Sequence, residues 1–271
     1  MSVARLCALS DVTRAGYYAW RGRPVSAHRE QDRSLLEVMR VIFERSDGTY
    51  GSPRLHRALA AQGHRVSRRR VERLMRSCGL RARVVRVYRR KAGTHRWFGQ
   101  HPNRLQRTRA TRPNQIWVGD VTYLPVAGRW WYLVAVLDQY SRRVLSWRLG
   151  SVRDGRLTRA AIDAALRRRR PSAGLIFHSD RGSEFLGASF SRRLDDYGVR
   201  QSMTRGAAPD ENAHVESFFH SLKADLIHGR RFQTIDELRN RLQRYMRYYN
   251  HQRLHSALRY QSPVDYEQGA A

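Results

Sequence analysis

The apolar positions of this chain change period near residue 115. Before it they recur at helical spacing: Leu35, Leu36, Val38, Met39, Ile42 and Phe43 follow i, i+3, i+4 intervals and predict an amphipathic helix. A Tyr50-Gly51-Ser52-Pro53 turn interrupts the pattern. Arg54 to Ala61 then reads as a helix, Gln62-Gly63-His64 as a turn, and Ser67 as the N-cap of a second helix that runs to about Cys78, where Gly79 stops it. After residue 115 the stretches Gln115 to Tyr123, Trp130 to Leu137 and Arg143 to Leu149 are rich in β-branched and aromatic residues and joined by short turns. They predict three strands in an antiparallel meander. Thr158 to Arg170 reads as a helix, Leu175 to Ser179 as a buried strand, Phe185 to Tyr197 as a helix and Val199 to Met203 as a last strand. Helical spacing returns from Asn212 to about His228 and from Thr234 to Tyr249. Three strands, helix, strand, helix, strand and helices make an α/β fold with a mixed sheet.

Charge sharpens this picture. The 271 residues carry 52 Lys or Arg against 23 Asp or Glu, a net charge of +29, and an excess of that size calls for a polyanionic partner. All but two of the basic residues are Arg, as a GC-rich coding bias would favour, but such a bias does not create the surplus. The basic residues are not confined to one amphipathic segment, which disfavours a membrane surface. Cys7 and Cys78 stand far apart with no metal-ligand spacing, so neither a disulfide framework nor a zinc module is expected. The longest apolar run is too short to cross a bilayer, and a cytoplasmic, nucleoid-associated protein is expected.

The basic N-terminal part reads as residues 1–92, an all-helical DNA-binding region, followed by a basic linker over 93–113 and a core over 114–271. The helical pair at 54–78 fits a helix-turn-helix whose second helix presents Arg68, Arg69, Arg70, Arg73 and Arg76 to DNA. An ordinary helical hairpin with a solvated basic face has the same pattern, and the two readings stay open.

Three acids stand where such a sheet would gather them: Asp120 inside the first strand, Asp180 at the end of the fourth and Glu216 at the start of the helix after the fifth. An acid inside a strand is costly unless a cation compensates it. Two divalent ions bridged by these carboxylates would do so and would activate an oxygen for attack on phosphate. Oxygen-only ligands point to Mg²⁺, with Mn²⁺ as substitute. Asp138 reads as a turn-capping acid, and Glu184 as a surface residue. His178 shares a face with Asp180 and either lines the site or fills the core behind it.

The blocks Gln-Ile-Trp-Val-Gly-Asp120-Val-Thr-Tyr-Leu-Pro, His-Ser-Asp180-Arg-Gly-Ser-Glu-Phe and Glu-Asn-Ala-His-Val-Glu216-Ser-Phe-Phe resemble the three signatures of the DDE transposases of the IS-three insertion-sequence group. Asp180 and Glu216 are separated by 35 residues, the spacing of that class. Tyr50-Gly51-Ser52-Pro53-Arg54 and Tyr248-Tyr249-Asn250-His251-Gln252-Arg253-Leu254-His255 resemble further family regions, so the likeness spans nearly the whole chain. One departure is Glu211-Asn212-Ala213, where the family commonly has Asp-Asn-Ala. The resemblance implies an RNase H-like, integrase-like core, with Asp120, Asp180 and Glu216 as the catalytic and metal-binding triad. It also implies single-strand cleavage at the ends of an element, joining through a 3′-hydroxyl, and action as a homo-oligomer on double-stranded DNA that includes terminal inverted repeats and target. Lys223, seven residues after Glu216, would contact the DNA end, the alternative being a solvated lysine. The chain has no sustained heptad repeat of the kind the group's upstream-frame product supplies, so terminus recognition calls for that product as a partner or for a fusion to it. Two rivals are a non-catalytic DNA-binding protein and an RNase H-like nuclease that cuts without joining; the triad disfavours the first and only the family blocks disfavour the second.

Overall fold

The computed structural model describes residues 2–24, 26–83, 102–105, 108–204 and 212–269. It divides into two compact units, residues 1–82 and 83–271. Much of the expected linker over 93–113, and the boundary at residue 92, lie outside the described residues.

The first unit is helical throughout. Helices α1 (Val3–Leu9), α2 (Arg14–Arg21) and α3 (Ala27–Arg45) open on Ser2, Thr13 and Ser26, whose hydroxyls accept the backbone N–H three residues on. The apolar stripe of α3 buries Leu35, Met39 and Ile42. Helix α4 (Ser52–Ala61) begins two residues earlier than the sequence suggests, because Pro53 is tolerated in a first turn, where its missing N–H is not needed. Helix α5 (Arg68–Ser77) is capped by Ser67, which accepts the Arg70 N–H at 3.2 Å, and the chain leaves it through Gly79 at φ +67°. Leu55, Leu59, Val71, Leu74 and Met75 complete the core of this unit.

The second unit is built on a five-stranded sheet. Strands β1 (Ile116–Val126), β2 (Arg129–Asp138) and β3 (Val144–Gly150) form the expected antiparallel meander. Ala127 and Gly128, both at positive φ, make the two-residue hairpin turn that matches strand twist. Helix α6 (Gly155–Arg169) crosses over to β4 (Ile176–Ser179), α7 (Ser183–Leu186) and α8 (Ala188–Asp195) lead to β5 (Arg200–Met203), and the sheet order is β3-β2-β1-β4-β5 with β1, β4 and β5 parallel. The single helix expected over 185–197 is broken at Gly187, whose extended backbone caps α8.

Helix α9 (Ala213–Leu222) does not continue regularly to His228 as expected; it passes into a π-turn, Lys223–Ile227. Helix α10 (Ile235–His251), a 3₁₀ turn (Ser256–Leu258) and α11 (Pro263–Gln268) close the fold. Alternation along β1 sorts the core into two layers. Ile116, Val118 and Leu124 pack with Val215, Phe218 and Leu222 of α9 and with Leu242 and Tyr245 of α10, while Trp117 packs with Ile162, Leu166 and Phe190 from α6 and α8. Fully burying each such side chain contributes about 1.5–3 kcal/mol. A mixed sheet in this order, covered by helices on both faces, is the RNase H-like architecture anticipated above.

Candidate active site

Two of the three acids are brought together by a parallel ladder. Gly119 of β1 pairs with Ser179 of β4, so the next residue along each chain is an acid, and Asp120 and Asp180 emerge side by side from adjacent strands. Neighbouring strands lie about 4.8 Å apart. Gly119 is glycine for a steric reason: a Cβ there would lie 2.5 Å from Cζ of Phe177. Alternation puts Asp120 on the face of Ile116 and Val118, the face that α9 covers, and Glu216 stands in the first turn of that helix. The start of α9 is tied to β1 by Asn212, whose Nδ2 donates to the Gly119 carbonyl at 3.5 Å. A helix N-terminus also favours an acid electrostatically.

Backbone N–H groups orient the carboxylates. Val121 donates to Asp120 Oδ1 at 2.7 Å and Gly182 to Asp180 Oδ1 at 3.1 Å. Burial, then the charge of Asp180, with smaller contributions from Glu216 and Glu184, push the Asp120 carboxyl well above the usual range against the pull of the Val121 hydrogen bond. Repulsion of this kind is what a cation relieves, and in that respect the residues fit a divalent metal. Among the described residues no three His, Cys, Asp or Glu side chains stand close enough to form a ready ligand set, and Glu216 is exposed.

The neighbouring residues divide. Asp138 is fully buried and caps its turn, with Oδ1 accepting the N–H groups of Tyr140 and Ser141 and Oδ2 that of Asn114. His178 is buried behind the site, its Nδ1 2.9 Å from the Ser202 hydroxyl of β5. Glu184 is not on the surface as the sequence suggested. The α7 turn folds it under, where it pairs with Arg153, and nothing in the sequence marks a partner 31 positions away. Asn212 and Arg153 are the site residues that sequence reasoning missed. Asn212 was visible as the residue just ahead of the helix carrying Glu216, while Arg153 had no local signal. Lys223 opens the π-turn, and its Nζ lies over the Tyr123 ring, 4.9 Å from the centroid, three residues along β1 from Asp120.

In the helical unit the basic residues of α5 are not equivalent. Arg70 Nε and Arg73 Nη2 donate to the two oxygens of Asp32 at 2.7 and 2.6 Å, and Arg68 Nε to Glu72 at 2.8 Å. Arg69 and Arg76 are exposed and make no ion pair with an acid among the described residues, and Arg73 remains exposed beside Asp32.

Family models and sequence relatives agree on what the chain resembles. Two families described as Integrase core domain match residues 110–209 and 197–263, and one described as HTH-like domain matches residues 30–90. The transposase InsF for insertion sequence IS3A of Escherichia coli (strain K12) is 34% identical over 270 residues, 98% of this chain and 94% of its own. The transposase for insertion sequence element IS904 of Lactococcus lactis is 33% identical over 251 residues, 90% of this chain and 98% of its own. A simian T-cell lymphotropic virus intasome, solved by cryo-electron microscopy in complex with a PP2A regulatory subunit, aligns over 78% of this chain and 69% of its own, with 15% identity and a TM-score of 0.49. With one-third identity to insertion-sequence transposases along nearly its whole length, the chain belongs to the IS3-family transposases, polynucleotidyl transferases with an integrase core.

Proposed function

We propose that Asp120, Asp180 and Glu216 are the catalytic carboxylates of this transposase and together hold two divalent cations, Mg²⁺ or its substitute Mn²⁺. The observation that carries the reading is the Gly119–Ser179 rung, which makes Asp120 and Asp180 neighbours on rigid strands. The donors are hard carboxylate oxygens, suited to such ions. When bound, the cations supply activation of the attacking oxygen and stabilisation of charge on the phosphate. The N–H groups of Val121 and Gly182 fix the orientation of two carboxylates, and α9, anchored through Asn212, carries the third. Lys223 meets the DNA end near the scissile phosphate.

The helical region, residues 1–92 with the linker 93–113, grips double-stranded DNA through the Arg side chains of α5, and residues 114–271 cut and join. The substrates are the terminal inverted repeats and the target, handled by a homo-oligomer in the bacterial cytoplasm, with the product of an upstream frame assisting terminus recognition. No helix among the described residues is long and apolar enough to cross a membrane.

The test is incubation with labelled duplex from the element's own terminus and Mg²⁺, scoring nicked and joined products. Wild type is expected to give both. Asp120→Asn, Asp180→Asn and Glu216→Gln should each reduce both to background while duplex binding survives. Joining retained by any variant removes that residue from the triad, and nicking without joining by wild type favours a plain nuclease.

A further inference from the structure

Arg153 stands in the loop between β3 and α6, one residue before Asp154, the N-cap of α6. Its Nε and Nη2 converge on a single oxygen, Glu184 Oε1, at 2.9 and 2.6 Å. The Glu184 side chain is 1% exposed and that of Arg153 47%. The second carboxylate oxygen, Glu184 Oε2, is buried and has no hydrogen-bond partner. The carboxylate is pressed against Gly182: a Cβ added there would lie 2.6 Å from Oε1 and 2.8 Å from Oε2. Gly182 in turn donates its N–H to Asp180 Oδ1. A continuous chain of contacts thus runs from Arg153 through Glu184 and Gly182 to one acid of the site.

The same guanidinium lies in the field of the other acid. Burial works against its charge, but the hydrogen bond and charge of Glu184, followed by the charges of Asp180 and Asp120, more than offset this and hold Arg153 charged. Asp180, Glu216 and Glu184 are carboxylates whose charges act on Asp120. Such a cluster costs folding free energy in proportion to its mutual repulsion unless a cation is at hand.

We propose that Arg153, pinned by Glu184, is a built-in counter-cation of the acid cluster and a positioning residue for Asp180, occupying electrostatically the role that divalent ions take over. This rests in part on the reading of Asp120 and Asp180 as metal-binding, but its first test does not. By holding the acids together in the metal-free chain, Arg153 keeps the site assembled; by adding positive charge beside it, Arg153 lowers the affinity for the incoming ion.

The first test is a double-mutant cycle on the full chain in EDTA, read by thermal unfolding. Arg153→Gln should lower Tm, and the loss should shrink to less than half in an Asp120→Asn background. Equal losses in the two backgrounds overturn the proposal, because a residue that merely fills space or satisfies Glu184 would not sense the charge at Asp120. If Arg153→Gln does not fold, Arg153→Lys and Glu184→Gln in the same two backgrounds decide the point: the lysine should recover most of the stability, and a lysine no more stable than glutamine overturns the proposal. The second test is calorimetric titration with Mn²⁺ at low salt. Arg153→Gln should bind about ten-fold more tightly than wild type, since a like charge near a divalent ion is removed in a partly shielded site; equal or weaker binding overturns the counter-cation role. A wild type that binds no Mn²⁺ strikes the metal reading above and leaves the cycle to decide Arg153.

Discussion

Arg253 Nε donates to Asp225 Oδ2 at 2.8 Å, and the Tyr245 hydroxyl donates to the same oxygen at 3.1 Å. The pair joins the end of α10 to the π-turn that Lys223 opens, with side chains 6% and 7% exposed. The C-terminal Tyr-Tyr-Asn-His-Gln-Arg block is therefore a clamp on the segment that presents Lys223. π-turns are rare and concentrate at functional sites, and this one is held by an ion pair from Arg253, two residues beyond the end of α10.

Removing one partner strands a buried charge, so Arg253→Leu should cost about 3–5 kcal/mol in denaturant unfolding. The double variant Asp225→Leu/Arg253→Leu should recover most of that loss. A single variant within 1 kcal/mol of wild type, with 1 kcal/mol about the worth of a surface pair, would contradict the buried assignment.

Lys223→Ala should slow end cleavage and joining far more than it weakens bulk duplex binding, because one phosphate contact among many adds little to total affinity. Lys223→Arg should retain part of the rate, since charge is kept while head-group geometry changes. Strand-transfer rates on saturating terminal DNA would decide, with Arg239→Ala as control; three equal rates would return Lys223 to a plain partner of Tyr123.

The helical unit should bind duplex DNA with strong salt dependence. Arg69→Ala is expected to weaken binding and reduce the slope of log affinity against log salt by about 1. Arg70→Ala should act chiefly on stability, since Arg70 is engaged with Asp32. Fluorescence anisotropy across a salt series, paired with melting curves, separates the two, and salt-independent binding would leave α4 and α5 as an ordinary helical hairpin.

Gly119→Ala tests the steric logic of the site. The added methyl collides with the Phe177 ring, which packs at a tilt against Phe185 and Phe190. Overpacking of this kind costs about 1–3 kcal/mol. Unfolding should show that loss together with reduced cleavage, because the residue displaced is the immediate neighbour of Asp120; unchanged stability would mean the ring moves aside freely.

How much of this was legible in the sequence depends on the range of each interaction. The strand expected over 115–123, the cap at Ser67 and the turn role of Asp138 are local and were readable. That Asp120 and Asp180 emerge together was readable because their flanking blocks resemble a family and because a strand-embedded Asp is costly. The burial of Glu184 was not, since its partner Arg153 lies across the fold. The π-turn escaped because apolar spacing through 212–228 stays helical, and the Arg253 that pairs with its Asp225 lies 28 residues on. The ion pairs that engage Arg70 and Arg73 depend on Asp32 in another helix. The break at Gly187 is local, but the apolar period runs through it and hid the interruption.

The parallel β1–β4 ladder has a consequence in time. Its strands, 116–119 and 176–179, are separated in sequence by β2, β3 and α6, and parallel pairing always demands such a crossover. Non-local pairings of this kind form late, because the loop they close must be ordered first. As the chain leaves the ribosome, the arginine-rich helices emerge and can fold before β4 exists, and the hairpin bearing Asp120 follows alone. On the function proposed above, a nascent chain would therefore carry its DNA-gripping helices before the two acids that are to cut DNA stand side by side.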